Sequence, residues 1–238
     1  MTIETVKAVV FDTFGTITDW RSSIAAEGAK IAHTKGIEDF NGDAFARAWR
    51  AGYRPGMARV TSGERGWTPV DVIHRERLEE ILPQFGLDML NDDERTHLNE
   101  AWHRINPWPD SIPGLLRIKK KYLIAPLSNG SLMLLTNMAK RAGIPWDFIF
   151  SSDMHQAYKR DPKVYQNAIA LLGVAPHEVM MGAAHNDDLE SAQAEGMRTA
   201  YINRPTEYGV DQTKDFKATG SYDIIAASVE EVADKLGC

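Results

Sequence analysis

Residues 8–16 have the sequence AVVFDTFGT, in which four apolar residues precede Asp12 and a short polar turn. The apolar run predicts a buried β-strand, and the turn predicts the carboxyl end of that strand. In an open α/β sheet, ligands bind beyond the carboxyl ends of the parallel strands. Asp12 is therefore a candidate active-site residue, although an aspartate that ends a strand is also an ordinary turn former.

Further along the chain, short apolar runs alternate with helix-like segments. The predicted strands cover residues 8–11, 123–127, 148–150, 179–181, 199–202 and 224–226. The predicted helices between and after the later strands cover residues 132–141, 162–172, 188–195 and 229–236. This alternation predicts an α/β fold with a doubly wound, Rossmann-like parallel sheet, because each β-α-β crossover is right-handed.

The region between the first two strands departs from this alternation. It contains four helix-like segments, at residues 22–35, 43–54, 70–82 and 92–105. This is too long for one crossover connection, and Pro107, Pro109, Pro113 and Gly114 mark the return to the sheet. We predict an inserted helical cap domain at residues 18–108 and a core domain formed by residues 1–17 and 109–238.

The composition restricts the possible partners of the protein. The chain has 238 residues, a formal net charge of -6 and one cysteine, Cys238. A chain with no basic footprint is not expected to bind nucleic acid or an anionic membrane surface. One cysteine cannot form an intramolecular disulfide, and we find neither a signal peptide nor an apolar run of the ~20 residues that a membrane helix needs. We expect a cytoplasmic protein without nucleic-acid or membrane partners.

Four polar turns occur near the ends of predicted strands in a fixed order. Asp12 is followed by Ser128 and Asn129, then by Lys159 before a helix start, and finally by an acidic pair that ends at Asp188. Each turn alone has a structural explanation, as loop residues, a solvated lysine or acidic residues in the first turn of a helix. Together they predict one site, because the carboxyl ends of parallel strands share an edge of the sheet.

With these motifs and a cap after the first of them, the chain resembles the haloacid dehalogenase superfamily over essentially its whole length. The resemblance implies that Asp12 is a nucleophile and that Lys159 keeps it ionised. It also implies that Thr16 and Asp188 orient the nucleophile, the lysine and a hydrolytic water. The fold that it implies is the one predicted from the alternation of strands and helices.

Two positions separate the chain from the phosphatases of that superfamily. Those enzymes carry a second aspartate two residues after the nucleophile, where this chain has Phe14. They also carry an acid after the glycine of the fourth motif, where this chain has Ala183. A proton donor and a magnesium ligand are thus both missing, and magnesium requires several oxygen ligands. We predict no metal and no cofactor.

A narrower resemblance is to the L-2-haloacid dehalogenase branch. It is carried by DTFGT from Asp12, SNGS from Ser128, Lys159 with Tyr165 six residues later, and Trp49-Arg50. The resemblance implies that Arg50 binds the substrate carboxylate, together with Ser128 and Asn129. The planar guanidinium suits this task because it pairs with a carboxylate through two hydrogen bonds. The resemblance also implies that four aromatic residues line a dry pocket, namely Phe14, Trp49, Tyr53 and Tyr165.

Arg50 and His185 each allow a second interpretation. Arg47, Arg50 and Arg54 share a helical face, which is also the pattern of a solvated surface. His185 stands where better-known members of the branch carry an asparagine, and Ala183 stands where they carry a serine. The histidine either hydrogen-bonds the water or the departing halide, or it caps the helix that follows.

The resemblance implies hydrolytic dehalogenation of a small (S)-2-haloacid or haloacetate to the 2-hydroxy acid. The reaction is expected to pass through an ester of Asp12 without a metal ion. The alternatives are a magnesium-dependent phosphatase, a different hydrolytic displacement at a small carboxylic acid, and a non-catalytic binding protein. The apolar cap helices suit a homodimer, but a stripe that faces its own core gives the same pattern.

Overall fold

The computed structural model describes residues 3–238. Within that range the strands are β1 (Ala8–Phe11), β2 (Thr18–Asp19), β3 (Asn106–Pro107), β4 (Leu123–Ser128), β5 (Phe150–Ser151), β6 (Val179–Ala183), β7 (Arg198–Ile202) and β8 (Ile224–Ala226). Six of them form a sheet in the order β5-β4-β1-β6-β7-β8, and every neighbouring pair is parallel. This confirms the predicted doubly wound α/β fold.

The helices cover both the sheet and the region inserted after β1. They are α1 (Trp20–Thr34), α2 (Gly42–Arg50), α3 (Tyr53–Thr61), α4 (Val70–Ile81), α5 (Asp92–Asn99), α6 (Ser111–Ile118), α7 (Leu132–Ala142), α8 (Ser152–His155), α9 (Pro162–Leu172), α10 (Asn186–Ala194) and α11 (Val229–Lys235). Helices α1 to α5 form the insertion, and the short antiparallel pair β2–β3 joins its two ends. The predicted domain boundaries, at residues 18 and 108, stay predictions. No helix within residues 3–238 is long and apolar enough to cross a membrane.

Strand β1 lies in the middle of the sheet, with β4 on one side and β6 on the other. Phe11 lies opposite Pro126 and Gly182 in this register. Successive residues of a strand face opposite sides of the sheet, so Val9 and Val10 enter two different buried clusters. The strands that follow β1 in sequence, β4 and β5, lie on one side of it, and the later strands β6 to β8 lie on the other. The end of β1 is therefore a topological switch point, where open α/β sheets bind ligands.

The predicted helix over residues 43–54 is wrong, because the structure has two helices there. Helix α2 ends at Arg50, and α3 begins at Tyr53. A Cβ atom on Gly52 would lie 2.4 Å from the Cγ atom of Arg77. The absence of a side chain on Gly52 therefore lets α4 pack closely against the junction of α2 and α3.

Other elements differ from the predictions by less. The predicted helix over residues 92–105 stops at Asn99 and continues as a 3-10 helix, Glu100–Arg104, which contains the fully buried Trp102. The strand expected at 148–150 is Phe150–Ser151, and the helix expected at 188–195 begins at Asn186. Helix α6 is not among the predicted helices; Pro113 lies in its first turn, where a missing N–H is tolerated.

Candidate active site

Asp12 is the first residue after β1 and the centre of the site. Its backbone N–H donates to the carbonyl oxygen of Gly182 at 2.9 Å, which continues the pairing of β1 with β6 by one residue. The residue is buried, and its carboxylate faces a cavity of about 810 Å³ between the sheet edge and the inserted helices. The chain thus places a buried anion where a small ligand has room to bind.

The turn after Asp12 supplies the first of its partners. The Thr16 hydroxyl donates to Asp12 Oδ2 at 2.9 Å and accepts a hydrogen bond from the backbone N–H of Ala184 at 2.9 Å. Because the hydroxyl accepts from Ala184, its proton is directed at Asp12. Thr16 therefore orients the carboxylate, although it does not line the cavity itself.

Lys159 places an ammonium group between two carboxylates. Its Nζ atom lies 3.2 Å from Asp12 Oδ1 and 2.8 Å from Asp188 Oδ2, and its side chain is fully buried. The backbone N–H of Lys159 donates to the Asn129 side chain at 2.7 Å, so the loop after β4 fixes this lysine. Burial by itself raises the pKa of Asp12, but the charge of Lys159, the hydrogen bond and charge of His185 and the charge of Arg160 together outweigh it and hold the pKa well below its ordinary value.

Asp188 lies behind Lys159 and is completely buried. Its Oδ1 accepts a hydrogen bond from the Tyr165 hydroxyl at 2.6 Å, and its Oδ2 contacts Lys159. Arg160 Nη1 stands 3.5 Å from Oδ1. Both oxygens of Asp188 are therefore engaged, and the residue anchors the lysine at a distance from the cavity.

His185 contacts the other side of the Asp12 carboxylate. Its Nδ1 atom lies 3.1 Å from Asp12 Oδ2, and its Nε2 atom lies 2.9 Å from Glu207 Oε2. Burial lowers the pKa of His185, but the charges and hydrogen bonds of Glu207 and Asp12 prevail and raise it to about 10. The side chain makes no capping hydrogen bond to α10. His185 does occupy the N-cap position of α10, but its side chain contacts the two carboxylates and not the helix.

Arg50 extends from the end of α2 into the cavity. The central carbon of its guanidinium lies 3.8 Å from the centroid of the Tyr53 ring, and the rings of Phe14, Trp20 and Trp102 surround it at 5.3–5.7 Å. Its Nη1 atom is buried and has no hydrogen-bond partner within residues 3–238. The interpretation of Arg50 as part of a solvated face is therefore wrong.

The two other arginines of that face have carboxylate partners. Arg47 pairs with Asp43 and Asp211, and Arg54 pairs with Asp187. No ion pair of Arg50 is found in the described part of the chain. An unpaired, partly buried cation next to a buried carboxylate is a candidate ligand for a second anion.

The cavity includes most, but not all, of the side chains that the sequence placed in it. The predicted site residues that line it are Asp12, Phe14, Arg50, Tyr53, Asn129, Lys159 and His185. The prediction that Trp49 and Tyr165 line the pocket is wrong, because both are buried away from the cavity. Ser128 is also buried outside the lining, and its contact with the substrate stays a prediction.

Each of these three residues has a structural contact instead. The Trp49 ring nitrogen donates to the carbonyl oxygen of His74 at 2.8 Å inside the cap. Tyr165 donates to Asp188, as described above. The Ser128 hydroxyl accepts from the backbone N–H of Gly130 at 3.2 Å, which shapes the turn after β4.

The sequence motifs did not reveal Glu207 or Trp20. Glu207 belongs to the irregular segment after β7, is fully buried, and accepts a hydrogen bond from the Trp20 ring nitrogen at 3.0 Å. Strand β7 is parallel to β1, so residues that follow it also lie near the carboxyl edge of the sheet. Applying the strand-end argument to this fifth turn would have included Glu207 among the candidates.

A parallel α/β core, with a buried aspartate at the end of its central strand and a lysine beside it, is the arrangement expected of the class of hydrolases that the sequence resembles. Residues 6–196 match the family model of haloacid dehalogenase-like hydrolases, and the chain belongs to this family. This confirms the resemblance seen in the sequence.

Individual relatives carry more specific names. The crystal structure of a defluorinating L-2-haloacid dehalogenase is 48% identical, with a TM-score of 0.95 over 98% of this chain and 96% of that one. A second L-2-haloacid dehalogenase structure is 39% identical, with a TM-score of 0.93 over 98% and 99% of the two chains. (S)-2-haloacid dehalogenase 1 of Pseudomonas sp. (strain CBS-3) is 30% identical over 87% of this chain and 89% of its own.

Proposed function

We propose that the protein hydrolyses a small (S)-2-haloacid or haloacetate to the 2-hydroxy acid, with Asp12 as a nucleophile that attacks carbon directly. The observation that carries the proposal is the contact of the buried Asp12 carboxylate with the Lys159 ammonium, 3.2 Å apart at the wall of a cavity that an unpaired Arg50 also enters. The names of the relatives support the substrate class.

The hydrogen bonds of Asp12 indicate which of its oxygens attacks. A carboxylate has about four lone-pair sites, two on each oxygen. Oδ2 accepts from both Thr16 and His185, whereas Oδ1 contacts only Lys159 among its described polar partners. Oδ1 therefore keeps a free lone pair. It forms the bond to C2 of the substrate while the carbon–halogen bond breaks on the opposite side and the halide leaves with the electron pair.

Arg50 is the proposed ligand of the substrate carboxylate, as the sequence predicts. Nucleophile and substrate are both anions, so each requires its own cation for the two to approach. Lys159 serves Asp12, and Arg50 has a free Nη1 atom for the substrate. The aromatic rings of Phe14 and Tyr53 hold the guanidinium and exclude water, which makes the anionic nucleophile more reactive.

Metal independence is the second part of the proposal. Within residues 3–238, no three His, Cys, Asp or Glu side chains are grouped so that they could hold a metal ion. The Lys159 ammonium supplies the positive charge between Asp12 and Asp188. Halide leaves as an anion without being protonated. The reaction therefore needs no proton donor at the position of Phe14, where a phosphatase has one. A homodimer and a cytoplasmic location stay predictions from the sequence.

Halide release from 2-chloropropionate in the presence of EDTA tests the proposal. The wild-type protein is expected to release chloride despite the chelator, and both Asp12→Asn and Lys159→Ala are expected to abolish the release. Glu190→Gln, an exposed change outside the cavity, serves as the control and is expected to retain full activity. Activity that requires added magnesium, or that survives in Asp12→Asn, would contradict the proposal.

A further inference from the structure

His185 connects the Asp12 carboxylate to a second buried carboxylate. Its Nδ1 atom lies 3.1 Å from Asp12 Oδ2, and its Nε2 atom lies 2.9 Å and 3.2 Å from the two oxygens of Glu207. An ionised carboxylate only accepts hydrogen bonds. Both contacts are therefore satisfied together when both ring nitrogens carry hydrogen, which is the imidazolium form.

Glu207 is held in one position by its surroundings. It is 1% exposed, and the Trp20 ring nitrogen donates to its Oε1 at 3.0 Å. The turn after β1 makes space for it, because a Cβ atom on Gly15 would lie 2.1 Å from Oε1. A buried carboxylate with two fixed donors is a costly feature that a fold does not need for packing alone.

Other polar and charged groups near His185 are either farther from its ring nitrogens or paired elsewhere. The Tyr208 hydroxyl stands 3.5 Å from Nε2, and Asp187 on α10 is already paired with Arg54 and Arg160. Asp12 and Glu207 are therefore the two carboxylates in direct contact with the imidazole in the described part of the chain.

Formation of the proposed ester changes the charges in contact with His185. When Oδ1 is bonded to the substrate, Asp12 loses its negative charge, and Glu207 is the remaining anion in contact with His185. Oδ2 becomes the carbonyl oxygen of the ester. Two donors already lie at this atom, the Thr16 hydroxyl at 2.9 Å and His185 Nδ1 at 3.1 Å. Donors fixed at the site where negative charge develops are the basis of oxyanion stabilisation.

We propose that protonated His185 stabilises the oxyanion that forms on Asp12 during hydrolysis of the ester, and that Glu207 positions His185 and keeps it charged. The inference rests on the proposed ester intermediate. His185 is then a catalytic residue because it contacts the reacting carboxyl group, whereas Glu207 is a positioning residue because it acts through His185.

The atoms and charges of this step balance. The oxygen of a water molecule bonds to Cγ of Asp12, and the electron pair of the carbonyl moves to Oδ2. When that pair returns, the bond between Cγ and Oδ1 breaks, and the 2-hydroxy acid leaves with Oδ1 and one proton of the water. The other proton of the water passes to solvent as the Asp12 carboxyl ionises beside Lys159.

The pH dependence distinguishes this role from that of a general base. A base would require a neutral Nδ1, so hydrolysis would accelerate as pH rises through the pKa of His185. A charged donor requires the proton, so hydrolysis slows as pH rises through that pKa. In the free enzyme Glu207 and Asp12 raise the pKa to about 10. In the ester the pKa is expected to be lower, because only the charge of Glu207 remains.

Single-turnover kinetics of Glu207→Gln test the inference. Quenching at intervals and measuring intact protein mass separates ester formation from ester hydrolysis. The amide can still accept from Nε2 but carries no charge, and loss of an opposing charge in contact shifts a pKa by about 1–3 units. We expect ester formation to be retained and the alkaline fall of hydrolysis to move to lower pH by about 1–3 units.

Two further variants complete the experiment. Glu190→Gln, on the exposed face of α10, is expected to leave the profile unchanged. His185→Asn retains a neutral donor and is expected to abolish the alkaline fall, which keeps the test available if Glu207→Gln does not fold. An alkaline fall that stays in place in these two site variants, or hydrolysis that rises with pH in the wild type, would overturn the inference. Oxygen from labelled water in the 2-hydroxy acid of the first wild-type turnover would instead refute the proposed function.

Discussion

At the scale of single residues, the site contains one cation that is paired with carboxylates and one that is not. Lys159 is paired with Asp12 and Asp188, whereas the Nη1 atom of Arg50 has no partner within residues 3–238. Leaving a buried charged donor unpaired costs more than the group gains from packing. The cost is offset when a substrate carboxylate binds, so the arrangement favours occupation by an anion.

Arg50→Gln tests this assignment. A hydrogen bond to a charged group contributes about 1.5–3 kcal/mol, so kcat/KM for a 2-haloacid is expected to fall about 10- to 100-fold. The fall should be smaller for a neutral substrate analogue, such as a 2-haloamide. Arg59→Gln, which removes an exposed cation paired with Glu64, is the control and should retain wild-type kinetics. Equal losses for the acid and the amide would argue against a carboxylate contact.

The sequence motifs predicted some residues of the site and missed others. Asp12, Lys159, Asp188 and Thr16 were predicted because each belongs to a turn that resembles the family pattern, and the structure brings them together. Glu207 lies in the segment after β7, a strand end that none of the four motifs covers. Its role depends on a contact with His185 that no local pattern encodes.

At the scale of elements, the turn between β1 and β2 determines the space around the site. Gly15 has a φ of +89°, a conformation that residues with a side chain rarely adopt. Its backbone N–H donates to the carbonyl oxygen of Thr18 at 2.9 Å, which closes the turn. The absent side chain leaves room for the Glu207 carboxylate, so the turn combines tight backbone geometry with access for a distant segment.

Gly15→Ala is expected to affect both stability and catalysis. Strain at a positive φ costs about 1–3 kcal/mol, and the new Cβ also displaces Glu207 from His185. Gly63→Ala is a matched control, because Gly63 has a φ of +77° but no atom within 4 Å of the added Cβ. Urea denaturation should show destabilisation in both variants and more of it in Gly15→Ala. Slow ester hydrolysis should appear only in Gly15→Ala, and unchanged hydrolysis there would contradict the assigned contact.

The strands and helices that were predicted best are those whose local pattern of apolar residues is enough to determine the secondary structure. The six strands of the sheet were all found because short apolar runs between polar turns have few other interpretations. The break between α2 and α3 was missed because residues 43–54 retain helical periodicity through it. Close packing against Arg77 interrupts the helix at Gly52, and such a tertiary contact is not visible in a local pattern.

At the scale of the whole molecule, the reaction is placed between the sheet and the inserted helices. The proposed nucleophile Asp12, Lys159 and His185 come from the edge of the sheet, and Arg50 comes from the insertion. Two ion pairs cross the same gap, Arg54 to Asp187 and Arg47 to Asp211. A net charge of -6 does not attract an anionic substrate, so that role is left to Arg50, the cation of the cavity without an ion-pair partner among the described residues.

The overall architecture followed from the sequence more completely than the pocket did. An insertion between the first two strands was evident from its length, and family resemblance supplied the roles of the strand-end residues. Which aromatic side chains face the cavity depended on how the cap helices pack, and Trp49 turned out to be inside the cap. Helix periodicity gives a face of the helix but not the partner that the face contacts.

The central claim is that Asp12 attacks the substrate carbon directly. It is tested by a single turnover with enzyme in excess over 2-chloropropionate in water enriched in oxygen-18, followed by mass analysis of the product and of the peptide that contains Asp12. If Asp12 Oδ1 bonds to C2, the product carries unlabelled oxygen and the label enters the carboxyl group of Asp12. Labelled oxygen in the product of the first turnover, with none in Asp12, would mean that water attacks the carbon directly and would contradict the account.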